Sequence, residues 1–333
     1  MTAETPHYYS YSEQVQHYFD RPHREVATNA IASPSAWNSS ELLSATDWRT
    51  TLDSSQLDEL EVALAKAAES GKPTSQLTTA DFPLPTLQHG IRGWAESVGN
   101  LRGIHVVSGL PVERWTPEEA ERFFWCVGLH MGKPGTQNVH GDLLGHVTDT
   151  GDAIDDPYVR LYRTAADIAY HCDAADVVGL LCLRSARNGG ASRVVSSVSV
   201  YNALLEIRPD LARRLYEPFL LDIRNEDSSG TLRHIPVTPC RYYGGRLSTF
   251  YHSDYFRSVV RHEDVPPLSQ EDAELLDLYE ELANDPSLYV EMELLPGDIQ
   301  WLSNHTILHS RTAYEDWPDP ELRRHLLRLW LSL

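Results

Sequence analysis

Basic residues are scarce in this sequence. The 333-residue chain carries 28 Lys and Arg against 48 Asp and Glu, which gives a formal net charge of −20 at pH 7. A chain with this balance repels the phosphate backbone of nucleic acids and the anionic surface of membranes. The composition therefore argues against nucleic-acid binding and against docking on a membrane.

Long apolar runs and cysteine motifs are also missing. No run approaches the roughly 20 residues that a membrane helix needs, and the N-terminal stretch MTAETPHYYSYSEQ has neither a basic head nor an apolar core. We therefore expect neither a membrane span nor a secretory signal. The four cysteines form no CxxC pair and no dense framework, which predicts free thiols and a cytoplasmic protein.

The N-terminal third shows few strand signals. Residues 1–55 are polar and aromatic with little periodicity, which predicts an irregular arm or a partly ordered extension. The spacing of apolar residues predicts helices over 56–71 and 86–98, and the segment GIHVVSG at 103–109 predicts a short buried strand. A Thr-Pro pair at 116–117 marks the start of a further helix.

From about residue 158 onward the pattern changes to short apolar or β-branched runs with turn residues between them. The predicted strands are 177–183, 193–198, 247–251, 289–295, 298–302 and 325–331, and the predicted helices are 199–216 and 269–283. Many short strands favour an all-β barrel or sandwich. Because no linker is visible, we predict a single structural domain, in which residues 1–100 form a helical or irregular extension packed on a core of residues 101–333.

Histidine is abundant, and the tripeptide His-X-Asp occurs four times among the 15 histidines. Chance matches are expected at this frequency, so the context has to choose among them. His171-Cys-Asp173 stands directly before the buried run at 177–183, whereas the other three lie in polar or loop-like stretches. Residues i and i+2 of a strand point the same way, so His171 and Asp173 can reach one metal ion.

The C-terminal segment supplies the remaining ligand candidates. The tripeptide PGD at 296–298 predicts a tight turn into a strand, and Asn304, His305 and His309 follow that strand. Two histidines and one carboxylate on one face of a metal leave three coordination positions open, which is diagnostic of non-haem Fe(II) oxygenases. Both His305 and His309 are candidates for the second histidine.

Two arginines stand out in the closing strand. Alternation places Arg324 and Arg328 on one face of it. An apolar strand does not normally carry charge on an inner face without an anionic partner, and a guanidinium suits a carboxylate. Arg323 is an alternative to Arg324, but alternation favours Arg324 because it shares a face with Arg328.

Four elements occur together in a family-specific order: His171-X-Asp173, then GGAS ending at Ser192, then PGD…N…LH ending at His309, then RRHLLR ending at Arg328. This pattern resembles the taurine dioxygenase (TauD/TfdA) family over about residues 100–333. The resemblance implies a mainly β fold with helical decoration around a double-stranded β-helix, or jelly-roll, core of the clavaminate-synthase-like class. It also implies a dioxygenase that depends on Fe(II) and 2-oxoglutarate.

The resemblance assigns roles position by position. His171, Asp173 and His309 would bind iron, and Arg324 would hold the distal carboxylate of 2-oxoglutarate. Ser192 stands where the family usually has Thr after the GG turn, so a hydroxyl is retained beside the cosubstrate. The carboxylate of Asp173 argues against a halogenase, because family halogenases lose it to make room for chloride.

The implied reaction oxidises an unactivated C–H bond by hydroxylation, desaturation or cyclisation, with consumption of O2 and release of succinate and CO2. Arg328 falls where some members bind an acidic group, which favours a small anionic or amino-acid-like metabolite as substrate. The loops 140–165 and 240–262 are candidate pocket walls. The candidate substrate contacts in them are Tyr162, Tyr251 and His252. A homo-oligomer is compatible with the sequence.

Two other functions stay open on sequence alone. A zinc-dependent hydrolase or lyase could use the same His/Asp/His ligands, because zinc also takes three protein ligands and a water, but it leaves Arg324 unexplained. A non-catalytic β-barrel binding protein would carry the triad as a vestige. Binding of metal and of 2-oxoglutarate separates these functions from the dioxygenase.

Overall fold

A computed structural model describes residues 8–152, 160–224, 226–227 and 230–333. The first seven residues of the predicted extension, and positions 153–159 of the predicted pocket wall, lie outside the described residues. The helices are α1 (Tyr11–Phe19), α2 (Ser39–Ser44), α3 (Ser54–Glu69), α4 (Gln88–Asn100), α5 (Pro117–Met131), α6 (Ser197–Ile207), α7 (Pro209–Arg214), α8 (Ser253–Ser258) and α9 (Gln270–Ala283).

The strands of the described residues run from β1 near the N-terminus to β17 at the C-terminus. They are β1 (Arg49–Thr51), β2 (Ile104–Ser108), β3 (Lys133–Gly135), β4 (Gly145–Val147), β5 (Ile168–His171), β6 (Val177–Arg184), β7 (Asn188–Gly189), β8 (Ser192–Ser196), β9 (Phe219–Asp222), β10 (His234–Val237), β11 (Cys240–Tyr243), β12 (Arg246–Thr249), β13 (Val290–Met292), β14 (Ile299–Ser303), β15 (Ile307–Arg311), β16 (Tyr314–Glu315) and β17 (His325–Ser332).

Two sheets enclose the centre of the molecule. The larger sheet has the order β1-β2-β14-β6-β17-β3, with β4 also paired to β17, and the smaller sheet has the order β13-β8-β15-β5. Val178 and Trp330 of the larger sheet are buried together with Val194 and Ile307 of the smaller one. The neighbouring strands are distant in sequence and mostly antiparallel, so the predicted jelly-roll core is confirmed.

Helices cover the outer faces of both sheets. Apolar residues of α3, α4 and α5 pack on the larger sheet, where Phe124 and Trp301 are fully buried. Residues of α6, α7 and α9 pack on the smaller sheet against Val195 and Leu308. The helix α5 begins at Pro117 with Thr116 as its capping residue, as the sequence predicts. With both outer faces covered in this way, the space between the sheets is left for a site.

The N-terminal extension is more regular than the sequence predicts. The helices α1 and α2 begin with capping boxes at Ser10 and Asn38, and β1 pairs parallel with β2. The expectation of an irregular segment over 1–55 is therefore wrong in these stretches, because helices of two turns are too short to show periodicity. Trp37 of the extension is buried beside the larger sheet. The division into an extension (1–100) and a core (101–333) stays a prediction.

Two further predictions need correction. The predicted helix over 199–216 is two helices, α6 and α7, because Pro209 has no N–H with which to continue the first one. The predicted strand over 193–198 ends at Ser196, whose side chain caps α6 by accepting a hydrogen bond from the backbone N–H of Ser199. Among the helices in the described part of the chain, none has the length and apolar character needed to cross a membrane.

A close fit between two central strands generates a stability prediction. Gly179 of β6 lies directly opposite Trp301 of β14, and a Cβ at position 179 would overlap the buried indole ring. We expect G179A to lower the free energy of unfolding by about 1–3 kcal/mol, as overpacking does. Urea unfolding followed by tryptophan fluorescence measures this change.

The matched control is Gly93 in α4, where a Cβ would meet nothing within 4 Å. We expect G93A to raise the free energy of unfolding by about 0.5–1 kcal/mol, because alanine is the better helix former. Equal stability of G179A and the unaltered protein would contradict the proposed fit.

Candidate active site

Two paired strands bring the candidate ligands together. The strand β5 ends at His171, Asp173 follows two residues later, and β15 runs antiparallel to β5 with His309 directly opposite His171. The centroids of the two imidazole rings lie 4.3 Å apart. One ligand atom from each of His171, Asp173 and His309 lies within 4.8 Å of the others. This separation is a little more than twice a metal–ligand bond of about 2.1 Å.

The hydrogen bonds around the triad leave its ligand atoms free. The Nδ1 of His171 lies 2.9 Å from the carbonyl oxygen of Ala169, to which it can donate, so Nε2 can bind a metal. The backbone N–H of Asp173 donates to Asn304. The Oδ2 of Asp173 and the Nδ1 of His309 are buried without a partner. Of the residues that the structure describes, these three form the one group of histidine, cysteine and acidic side chains with metal-ligand spacing.

The surroundings of His309 and Asp173 favour the protonation states that metal binding requires. Burial, reinforced by the nearby His171, lowers the pKa of His309 to about 3, so its imidazole is neutral. Burial opposes ionisation of Asp173, but the positive charge of Arg328 leads the interactions that outweigh it and lower the pKa of this carboxyl. Neutral imidazoles and an ionised carboxylate are the forms that bind metals. The donor set therefore fits Fe(II).

The triad opens into a narrow cavity of about 60 Å³ between the two sheets. The lining comprises the triad, Tyr162, Ser192, Ser310, three arginines (Arg311, Arg324 and Arg328) and an apolar wall of Val147, Ile168, Val178, Leu180, Leu294 and Leu326. Apolar walls exclude water and strengthen the interactions of the few polar groups that remain.

Arg324 lies in this cavity and Arg323 does not line it. Arg324 is 6% exposed and its Nη1 has no hydrogen-bond partner, whereas Arg323 is half-buried. Gly190 has a φ of +76°, and a Cβ there would lie 3.0 Å from the Nε of Arg324. The glycine therefore makes both the turn and the room for the guanidinium.

Ser192 and Arg328 line the same cavity but already have protein partners. The hydroxyl of Ser192 donates to the Oε1 of Gln300, 2.9 Å away. The Nε of Arg328 donates to Gln137 at 2.7 Å, and its Nη1 lies 3.6 Å from the Oδ1 of Asp173. The guanidinium of Arg328 also lies over the ring of Tyr162, with 4.6 Å between its central carbon and the ring centroid.

The structure does not bring Tyr251 into the cavity. Tyr251 is fully buried in the apolar cluster beneath α9, and its hydroxyl donates to the carbonyl oxygen of Leu276. This corrects its expected role as a substrate contact, because no surface of the side chain is left for a ligand. His252 does not line the cavity either, but it forms a β-bridge with His171 and its ring stacks on Tyr255 with centroids 3.7 Å apart.

His305, the alternative metal ligand, belongs to a different site. Its Nε2 lies 2.9 Å from Asp176 and its Nδ1 lies 2.7 Å from the hydroxyl of Ser248. Both ring nitrogens are therefore engaged in hydrogen bonds. Arg311, which lines the cavity two residues after His309, is not among the site residues predicted from the sequence. Strand alternation could have found it, because residues i and i+2 share a face.

Comparison with known proteins agrees with this geometry. Residues 69–330 match the family model described as "Taurine catabolism dioxygenase TauD, TfdA family". The chain is 30% identical over 316 residues to the FR-33289 synthase of Streptomyces rubellomurinus, which covers 93% of this chain and 92% of the relative. The chain belongs to the TauD/TfdA family. It is therefore a dioxygenase that uses Fe(II), 2-oxoglutarate and O2, as the sequence predicts.

Two further similarities extend across the TauD/TfdA fold. A taurine hydroxylase-like protein of Stachybotrys chartarum is 26% identical over 320 residues, which covers 93% of this chain and 82% of that protein. A crystal structure of asparagine oxygenase, in complex with Fe(II), 2S,3S-3-hydroxyasparagine and succinate, superposes with a TM-score of 0.66. It is 19% identical, and the match covers 86% of this chain and 93% of that one. The jelly-roll core is therefore shared with an iron oxygenase.

The geometry of the triad predicts how metal binding responds to substitution. H171A, D173A and H309A should each weaken Co(II) or Fe(II) binding by more than about 100-fold. Loss of a residue that only hydrogen-bonds to a ligand already lowers metal affinity about 10–100-fold, and loss of the ligand itself should lower it further. Anaerobic titration followed by the visible spectrum of Co(II) measures the affinity. H305Q is the control, and its metal affinity should stay unchanged. Loss of metal binding in H305Q with retention in H309A would show that the ligand assignment is wrong.

Proposed function

We propose that His171, Asp173 and His309 hold the iron of this dioxygenase and that Arg324 binds the distal carboxylate of 2-oxoglutarate. One observation carries the proposal: a group of three metal-ligating side chains lines the same cavity as the buried guanidinium of Arg324, whose Nη1 has no hydrogen-bond partner. The reaction of a zinc hydrolase does not require the buried Arg324. A binding protein with a vestigial triad would not require a buried cation in the cavity either. Neither alternative is favoured.

The roles of the side chains follow from their chemistry. When bound, iron and 2-oxoglutarate supply the oxidising chemistry, in which O2 is consumed and succinate and CO2 are released. Arg324 orients the cosubstrate by pairing with its far end. Ser192 forms part of the cavity wall at this cosubstrate site, where Gln300 holds its hydroxyl proton. The apolar walls exclude water and hold the C–H bond of the substrate near the metal.

We further propose that the substrate is a small anionic or amino-acid-like metabolite whose acidic group binds Arg328. Arg328 is 7% exposed, lines the cavity and lies 3.6 Å from Asp173. An acid held there lies next to the metal. The ring of Tyr162 covers the guanidinium of Arg328 and would pack against the substrate. His252 pairs with His171 through a β-bridge and lies outside the cavity lining. Two similar proteins are named for taurine, a sulfonate, and for asparagine, an amino acid.

The setting of the enzyme also remains a proposal. The four cysteines are free and buried, which supports a cytoplasmic location. The packing of Trp37 beside the larger sheet supports residues 1–100 as an extension of the core of residues 101–333 within one structural domain. A homo-oligomer stays a prediction.

The cosubstrate assignment makes a spectroscopic prediction. Adding 2-oxoglutarate to the anaerobic Fe(II) protein should produce a weak visible charge-transfer band, and R324A should raise the 2-oxoglutarate concentration needed by about 100-fold, because losing one partner of a buried charge pair costs about 2–5 kcal/mol. R323A is the matched control and should titrate like the unaltered protein. Absence of the band combined with zinc-dependent hydrolysis would favour the hydrolase.

The substrate assignment is tested by succinate release in a screen of amino acids and small organic acids. The best substrate should stimulate release, and its uncharged amide should do so at least about 10-fold less well. In R328Q the acid and the amide should become nearly equivalent, while the 2-oxoglutarate titration stays close to that of the unaltered protein. Continued preference of R328Q for the acid would assign the acidic group to another residue.

A further inference from the structure

A second buried arginine lies close to Arg324. Arg311 is the last residue of β15, two positions after His309, and it is 7% exposed. Arg311 and Arg324 both lie close to one aromatic ring, since their guanidinium carbons are 4.8 Å and 5.1 Å from the ring centroid of Tyr314. Both arginines line the cavity that contains the triad.

The hydrogen bonds of Arg311 leave donors free. Its Nη2 donates to the carbonyl oxygens of Thr164 and Ala166, so this edge of the guanidinium holds the segment that leads into β5. Its Nε and Nη1 are buried and have no hydrogen-bond acceptor, and the Nη1 of Arg324 is likewise buried without an acceptor. In the described part of the chain, no carboxylate lies within 4.0 Å of either guanidinium.

Two buried guanidinium groups that contact no carboxylate among the described residues are costly for the folded protein. An unpaired buried charge loses its hydration, and only an anion with matching hydrogen bonds compensates for that loss. A carboxylate offers about four lone-pair positions on two oxygens, which is enough for donors from two arginines. Ser192, the other candidate donor, already gives its proton to Gln300. The hydroxyl of Tyr314 is also buried without a partner, so the free charged donors at this end of the cavity are those of the two arginines.

We propose that Arg311 and Arg324 together bind the distal carboxylate of 2-oxoglutarate, so that the cosubstrate site is a pair of guanidinium groups. This inference rests on the proposed function of the site. It explains why a charged residue is retained on the inner face of β15, and it gives Arg311 a role beyond its two bonds to the backbone at 164 and 166.

The alternative role for Arg311 is purely structural, as a brace for the segment at 164–166. The two roles differ in their dependence on the charge of the ligand. A brace affects every 2-oxoacid equally, whereas a carboxylate-binding residue affects only those with a distal acid. A matched pair of ligands separates them: 2-oxoglutarate, and 2-oxopentanoate, which has the same five carbons and a methyl group in place of the distal carboxylate.

The experiment is anaerobic calorimetry of both ligands with the Fe(II) protein. The unaltered protein should bind 2-oxoglutarate much more tightly than 2-oxopentanoate. R311Q should weaken 2-oxoglutarate binding by about 10–100-fold, the cost of losing one charge-assisted contact, and leave 2-oxopentanoate within about twofold. R323Q is the control and should preserve both affinities. If R311Q does not fold, R311K carries the test, and its discrimination between the ligands should fall at least about fivefold.

The outcomes are distinguishable. Equal weakening of both ligands in the Arg311 variant, or no change in either, would overturn the pairing of Arg311 with the carboxylate and leave the proposed function intact. Failure of the unaltered protein to bind 2-oxoglutarate at all would instead overturn the proposed function.

Discussion

The register between β5 and β15 is the constraint on which the site depends. His309 lies opposite His171 only because the two strands pair antiparallel at this position, and Asp173 follows two residues beyond the end of β5. A slip of one residue would turn His309 to the other face of the sheet, away from His171. The bond from the backbone of Asp173 to Asn304 fixes the segment after β5. A few backbone hydrogen bonds therefore set the position of all three ligand groups.

The charge of the cavity opposes the charge of the molecule. The chain carries a formal charge of −20, yet the cavity contains Arg311, Arg324 and Arg328 against the single carboxylate of Asp173. Low-dielectric walls concentrate this local field and attract anions into the cleft. Burial lowers the pKa of the neighbouring His309, and the charge of Arg328 adds to this effect. The chain as a whole is therefore acidic, whereas the cavity that would bind the ligands is positively charged.

Much of the fold and of the site followed from local sequence rules. The strand that precedes His309, the capping of α5 and the inward position of Arg324 are readable because alternation and capping act over a few residues. Tyr251 was misjudged because its environment depends on α9, which is more than fifteen residues away in sequence and packs over it. Arg311 was overlooked because a single charge at a strand end has no visible partner in the sequence. Long-range packing, which the sequence does not display, decides both cases.

Gly190 has a consequence for which molecules fit the cavity. Its backbone lies next to Arg324, where a Cβ would be 3.0 Å from the Nε of the guanidinium, while β5 and β15 hold the triad. With the proposed roles, the cavity sets the distance between the metal and the guanidinium of Arg324, and the length of the cosubstrate has to match this distance. Oxaloacetate, one carbon shorter, would not reach from the metal to Arg324, and 2-oxoadipate, one carbon longer, would have to adopt a bent conformation.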